Sequence, residues 1–169
     1  MPIKKETLGK YINNYFVETG TGRGKTIDKA ISLGFKKIIS IEKDKKKFGK
    51  CYRRFKSNKD IVIYHGSSIE LLADIIKDID DKITFWLDAH TGDGYKNQKG
   101  PLISELEIIK NNTKVTPTIL IDDRKLLPTY NITEEEVINK LLEIYPDFSI
   151  KYEEGAEDRE QDIIVAIKE

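Results

Sequence analysis

Short apolar runs alternate with longer amphipathic stretches along almost the whole chain. The apolar runs lie at 15–19, 37–41, 60–64, 83–87 and 118–121. They are rich in β-branched and aromatic residues, as in Ile83-Thr84-Phe85-Trp86-Leu87, and are too short for helices, so they read as strands. The stretches between them have helical spacing. Ile27, Ala30 and Ile31 mark a helix over 24–33, with Gly34 as its C-cap. Phe48, Cys51, Tyr52 and Phe55 fall at i, i+3, i+4 and i+7 of a helix over 43–57 and predict one buried stripe. Ser68 is the expected N-cap of a helix over 68–79 that turns Ile69, Leu72, Ile75, Ile76 and Ile79 inward. Pro101 suits the first position of a helix carrying Leu102, Leu106 and Ile109. Thr133 and Glu136 form a capping box ahead of Val137, Leu141 and Ile144. Residues 1–14 are polar and predict a short lead-in helix anchored by Leu8 and Ile12.

The pattern changes after residue 147. Residues 148–153 alternate as a strand, 155–160 are a polar turn, and 162–167 form a second strand. No helix fits between the two strands, which makes them an antiparallel hairpin. Five strand–helix units and a hairpin predict an α/β fold. Its sheet is doubly wound, mostly parallel and seven-stranded, with a C-terminal antiparallel hairpin and helices on both faces. We read 1–169 as a single domain.

Composition narrows the function classes. Lys+Arg and Asp+Glu both number 29 among 169 residues, so no global basic field points to nucleic acid. The lysine-rich face of the helix over 43–57 reads as a solvated surface. Cys51 is the single cysteine, which excludes a disulfide framework and a cysteine zinc site. No apolar run is long enough to span a membrane, and the N-terminus is unlike a signal peptide. A cytoplasmic protein is the expectation.

The first strand runs into Glu18-Thr19-Gly20-Thr21-Gly22-Arg23-Gly24-Lys25-Thr26 and then into a helix. Strand, glycine loop and helix form the first half of a nucleotide-binding unit, in which bare backbone and a helix N-terminus approach the ligand. A dinucleotide loop needs Gly-x-Gly-x-x-Gly, and its third glycine falls on Lys25 or Ile27. A P-loop ends in Gly24-Lys25-Thr26, but its first glycine falls on Thr19. Ile119-Leu120-Ile121-Asp122-Asp123 resembles the second motif of P-loop enzymes, so a P-loop NTPase or small kinase stays as an alternative. The pattern Glu-x-Gly-x-Gly-x-Gly is filled completely by Glu18, Gly20, Gly22 and Gly24.

In an open α/β sheet the ligand lies beyond the carboxyl ends of the strands. Glu42 ends strand two, where a carboxylate can accept both ribose hydroxyls of a nucleoside. Ser67 and Ser68 follow strand three. Asp88 ends strand four and is followed by His90, while Asp122 and Asp123 end strand five. Three acids in one crevice repel unless a cation or proton intervenes, and an all-oxygen set suits Mg²⁺ or another divalent cation. His90 is the candidate general base, with Lys96 and Lys99 behind it and His65 placed at the adenine side or the surface.

These residues and the order of elements resemble class I S-adenosylmethionine (SAM)-dependent methyltransferases, over nearly the whole chain. The resemblance implies SAM as cofactor, held by Glu18, Gly20, Thr21, Gly22, Gly24, Glu42, Lys43, Ser67, Ser68 and Asp88. It implies catalysis through His90 and Asp88. The ends of strands four and five are similar to catechol O-methyltransferase-like enzymes, which hold a divalent metal with an Asp and an Asp-Asn pair. Asp88, Asp122 and Asp123 match that set, with Asp123 in place of the Asn. Leu87-Asp88-Ala89-His90 is also similar to sugar and macrolide O-methyltransferase-like proteins. The implied reaction is methyl transfer to a hydroxyl of a small molecule or sugar. The Asn-Pro-Pro-type motif of nucleic-acid N-methyltransferases is absent. With about 14 residues ahead of strand one, the substrate cap must come from 89–100, from 124–132 or from a second subunit, so a homodimer is one expectation. A methyltransferase fold that only binds its ligand is the remaining alternative.

Overall fold

The computed structural model describes residues 3–90 and 99–169. Its strands are β1 (Tyr15–Thr19), β2 (Lys37–Glu42), β3 (Ile61–His65), β4 (Ile83–Leu87), β5 (Thr118–Ile121), β6 (Ser149–Glu153) and β7 (Ile163–Ile167). Its helices are α1 (Lys5–Leu8), α2 (Lys25–Leu33), α3 (Lys45–Phe55), α4 (Ser68–Ile76), α5 (Leu102–Asn112) and α6 (Glu134–Ile144). All seven strands join one sheet in the order β3-β2-β1-β4-β5-β7-β6. β1 to β5 are parallel, and β7 runs antiparallel to both β5 and β6. The order reverses between β1 and β4, which opens a crevice at their carboxyl ends.

Strand periodicity divides the core into two layers. Phe16, Ile38, Trp86, Leu120 and Val165 pack against Ile27, Ala30, Cys51 and Phe55 of α2 and α3. Val17, Ile41, Phe85, Ile119 and Ile164 pack against Leu72, Leu106 and Leu141 of α4, α5 and α6. The same alternation sends Glu18 to the α2–α3 face and Thr19 to the α4–α5 face.

Several local expectations are corrected. Ile12 is 45% exposed, and the lead-in is anchored by Ile3, Leu8 and Tyr11. Tyr52 leaves the α3 stripe at 49% exposure, because the helix lies at the sheet edge and only Cys51 and Phe55 turn fully inward. Ile69 points outward from the first turn of α4. The α4 N-cap is Ser67, which has extended φ/ψ, while Ser68 is already helical and buried. Pro101, expected at the first helical position, is the N-cap residue of α5, which starts at Leu102. Gly34 ends α2 in the left-handed conformation, and the Thr133 side chain accepts from the Glu136 backbone N–H. The Glu136 carboxylate does not return that bond and pairs with Lys99 at 2.5 Å.

Candidate functional site

The glycine loop is bound to its surroundings by backbone geometry. Gly20 donates to the Ile41 carbonyl at 2.9 Å and has φ +88°. A Cβ there would lie 2.8 Å from the Asp88 carbonyl oxygen, so glycine allows β1 and β4 to close on each other at the crevice. Gly22, at φ +56°, has no atom of the described residues within 4 Å of its would-be Cβ. Its N–H donates to Glu42 Oε2 at 2.8 Å. Gly24 faces the other way and packs against Phe55 and Cys51.

Glu42 ties two loops together. Its Oε2 accepts from Gly22, and its Oε1 accepts from the Asp44 backbone N–H at 2.8 Å. Asp44 in turn caps α3, accepting from the Lys47 N–H at 2.7 Å. Each Glu42 oxygen keeps a second acceptor position for a ligand hydroxyl.

A cleft of about 530 Å³ opens over this floor. Seven of the predicted cofactor residues line it: Gly20, Gly22, Glu42, Lys43, Ser67, Ser68 and Asp88. A second cleft of about 320 Å³ shares Gly20, Gly22 and Asp88 with the first and is also lined by Thr21, Arg23 and Lys25. Two predicted positions lie outside both clefts. Gly24 is turned toward α3, and Glu18 is fully buried beneath the loop. Glu18 Oε1 accepts from Ser40 Oγ at 2.7 Å, and that hydroxyl also contacts Thr21 Oγ1. Glu18 thus braces the loop from below. Burial pushes its pKa up to about 8, with the Glu42 charge adding to the shift and the Ser40 hydroxyl opposing it.

Asp88, Asp122 and Asp123 converge as expected, each offering one oxygen within 4.8 Å of the others. Backbone bonds to neighbouring strands fix two of them, Asp88 N–H to the Thr19 carbonyl at 3.1 Å and Asp122 N–H to the Leu87 carbonyl at 3.2 Å. Burial, then the charges of Asp122 and Asp123, hold the Asp88 carboxyl well above the usual range. Burial and Asp123 push Asp122 up to about 7. Among the described residues, both Asp122 oxygens are buried without a hydrogen-bond partner. An all-carboxylate set with orphaned oxygens fits a hard divalent cation.

His90 is also fully buried. Its Nε2 lies 3.1 Å from the Asp122 carbonyl oxygen, so that nitrogen carries the proton and donates. Burial lowers its pKa to about 4, leaving the ring neutral and weakly basic. This geometry does not support the base role read from sequence and makes His90 a strut between β4 and β5. Lys99 is paired with Glu136, and Lys96 lies outside the described residues. His65 stacks on Phe48 at 4.9 Å between ring centroids.

Two residues were missed from sequence. Arg159, on the β6–β7 connector, places Nη1 2.7 Å from Asp123 Oδ1, and nothing local marks that contact. Glu105 is fully buried on α5, beside the Thr19 and Ser68 hydroxyls, and neither of its oxygens makes a well-aligned hydrogen bond. Burial pushes its pKa up to about 7, against those hydroxyls. A signal did exist for Glu105, since it falls on the apolar stripe of Leu102, Leu106 and Ile109.

No protein-family model matches the chain, and no curated protein sequence does. Solved structures do. A Podospora anserina methyltransferase bound to S-adenosylhomocysteine (SAH) has a TM-score of 0.66 at 12% identity, over 98% of this chain and 76% of its own. A Bacillus cereus O-methyltransferase in complex with SAH has a TM-score of 0.65 at 13% identity, over 97% of this chain and 78% of its own. The chain has the class I SAM-dependent methyltransferase fold. An O-methyltransferase from Streptomyces achromogenes, involved in tomaymycin synthesis and solved with SAM, has a TM-score of 0.64 at 8% identity, over 98% of this chain and 78% of its own. In this methyltransferase fold the two clefts lie at the topological switch point, between β1 and β4.

Proposed function

We propose that the chain is a SAM-dependent methyltransferase that methylates a hydroxyl oxygen of a small molecule or sugar. One observation carries this reading. Two adjoining clefts at the switch point gather a bare glycine loop, a carboxylate fixed under the rim and Asp88 of β4, with Asp122 and Asp123 clustered beside Asp88. The net charge of zero favours a small acceptor over nucleic acid.

SAM, when bound, supplies a methyl group already activated on a sulfonium. The protein positions and deprotonates. Gly22 and Glu42 seat the adenosyl group, with Glu42 accepting from the ribose hydroxyls. Lys43, Ser67 and Ser68 border the base. Asp88 lines both clefts and stands between cofactor and acceptor. Without a cation, Asp88, which lines both clefts, is the carboxylate placed to take the acceptor proton in place of His90. A divalent cation such as Mg²⁺ would be held by Asp88, Asp122 and Asp123 and would lower the proton affinity of the acceptor hydroxyl. The segment Arg124–Tyr130 follows the acidic cluster directly and is held by Arg124 N–H to the Asp162 carbonyl at 2.8 Å.

Calorimetry with SAM, SAH and ATP on one preparation tests the reading. SAM and SAH are expected to bind one per chain, and ATP is not. ATP binding without SAH binding would return the loop to the P-loop class.

A further inference from the structure

The connector between β6 and β7 carries a cation into the acidic crevice. It is a closed loop, with Gly155 N–H donating to the Arg159 carbonyl at 2.8 Å. Gly155 permits a close approach, since a Cβ there would sit 2.9 Å from the Asp162 Cβ. Arg159 Nε donates to the Ala156 carbonyl at 3.3 Å, which sets the direction of the guanidinium. Nη1 then lies 2.7 Å from Asp123 Oδ1 and 2.7 Å from Asp162 Oδ2. These two carboxylates differ. Asp162 is fully buried, and its Oδ1 is held by the Lys125 N–H at 2.9 Å, so it is a fixed anchor. Asp123 belongs to the cluster with Asp88 and Asp122. Asp122 is 1% exposed and both its oxygens are unpartnered among the described residues, which leaves the inner side of the cluster without a positive partner there.

We infer that Arg159 and a divalent cation compete for Asp123: the guanidinium holds Asp123 until a cation takes it, and Arg159 then rests on Asp162 alone. The inference rests on the reading of Asp88, Asp122 and Asp123 as a cation site. The arginine already neutralises one of the three carboxylates, and it adds a like charge beside the incoming ion. The extra negative charge of Asp123 is thus matched by a cation from the same chain. Metal affinity in the native protein is set by this exchange and not by the carboxylates alone.

Mn²⁺ titration by calorimetry, with no other ligand present, tests the role. Arg159→Gln is expected to bind Mn²⁺ about tenfold more tightly than the native protein. Arg159→Lys, which keeps the charge, is expected to stay within about threefold. Equal or weaker Mn²⁺ binding by Arg159→Gln would overturn the inference. A second measurement needs no variant: Mg²⁺ added to the native protein is expected to shift the Arg159 Nε–H resonance in a saturable way. An unmoved resonance would also overturn it. SAH binding on the same preparations separates the two levels. Intact SAH binding with unchanged Mn²⁺ affinity removes only the role of Arg159, whereas absent SAH binding removes the proposed function beneath it.

Discussion

Glu42 is the residue on which the proposed cofactor seat depends. Both its oxygens accept backbone N–H groups, one from the glycine loop and one from the start of α3. Glu42→Gln replaces one acceptor oxygen with a donor that faces an N–H. Charge-assisted bonds of this kind contribute about 1.5–3 kcal/mol, so SAH Kd is expected to rise about tenfold to a hundredfold in calorimetry. Two glycines give a contrasting pair. Gly20→Ala drives a Cβ against the Asp88 carbonyl, so thermal unfolding is expected to shift down by about 5 °C or more. Gly22→Ala meets no atom of the described residues, so Tm is expected to fall by only about 3 °C while SAH binding is lost. Glu18 predicts a pH effect. Its folded pKa of about 8 exceeds the ordinary 4.5, so the folded state binds more protons between those values. The stability contribution of Glu18 is therefore full below about pH 4.5 and lost as pH rises through about 8. Glu18→Gln is expected to melt about 5 °C above the native protein at pH 8, and the difference is expected to vanish near pH 5.

At the scale of elements, caps and stripes can be separated from the site. Thr133→Ala removes the hydroxyl that accepts from Glu136 N–H, at a cost of about 1 kcal/mol, or about 3 °C in Tm. SAH affinity is expected to stay unchanged, because α6 lies under the sheet and away from the cleft. Elements of this kind were legible in the sequence because periodicity reports burial directly. All seven strands and the five longer helices follow from the spacing of Ile, Leu, Val and Phe. The errors have a common cause. Tyr52, Ile69 and Ile12 fit an apolar spacing, but they sit at an edge strand's helix, a first helical turn and the end of the lead-in, where no second layer covers them. Spacing gives the face of a helix and not the extent of the layer above it. The one-residue displacement of the α4 cap from Ser68 to Ser67 reflects two adjacent serines, either of which can cap.

For the whole molecule, the cleft was legible because α/β topology sends the carboxyl ends of the parallel strands β1 to β5 to one edge, so Glu42, Asp88 and Asp122 could be placed at that edge from their positions alone. What was hidden depends on tertiary distance. Arg159 meets Asp123 across 36 residues of chain, and the burial that neutralises His90 comes from packing on β5. Sequence could supply the residue types at the strand ends but not which of them remain open to a ligand. The proposed function stands on the glycine loop and Glu42 forming an adenosyl seat. A crystal structure of the chain grown with SAH is the decisive test. The adenosyl group is expected in the cleft between Gly22 and Ser67, with both ribose hydroxyls within about 3 Å of Glu42. SAH elsewhere on the surface, or a cleft that stays closed with Glu42 turned away from the ligand, would contradict it.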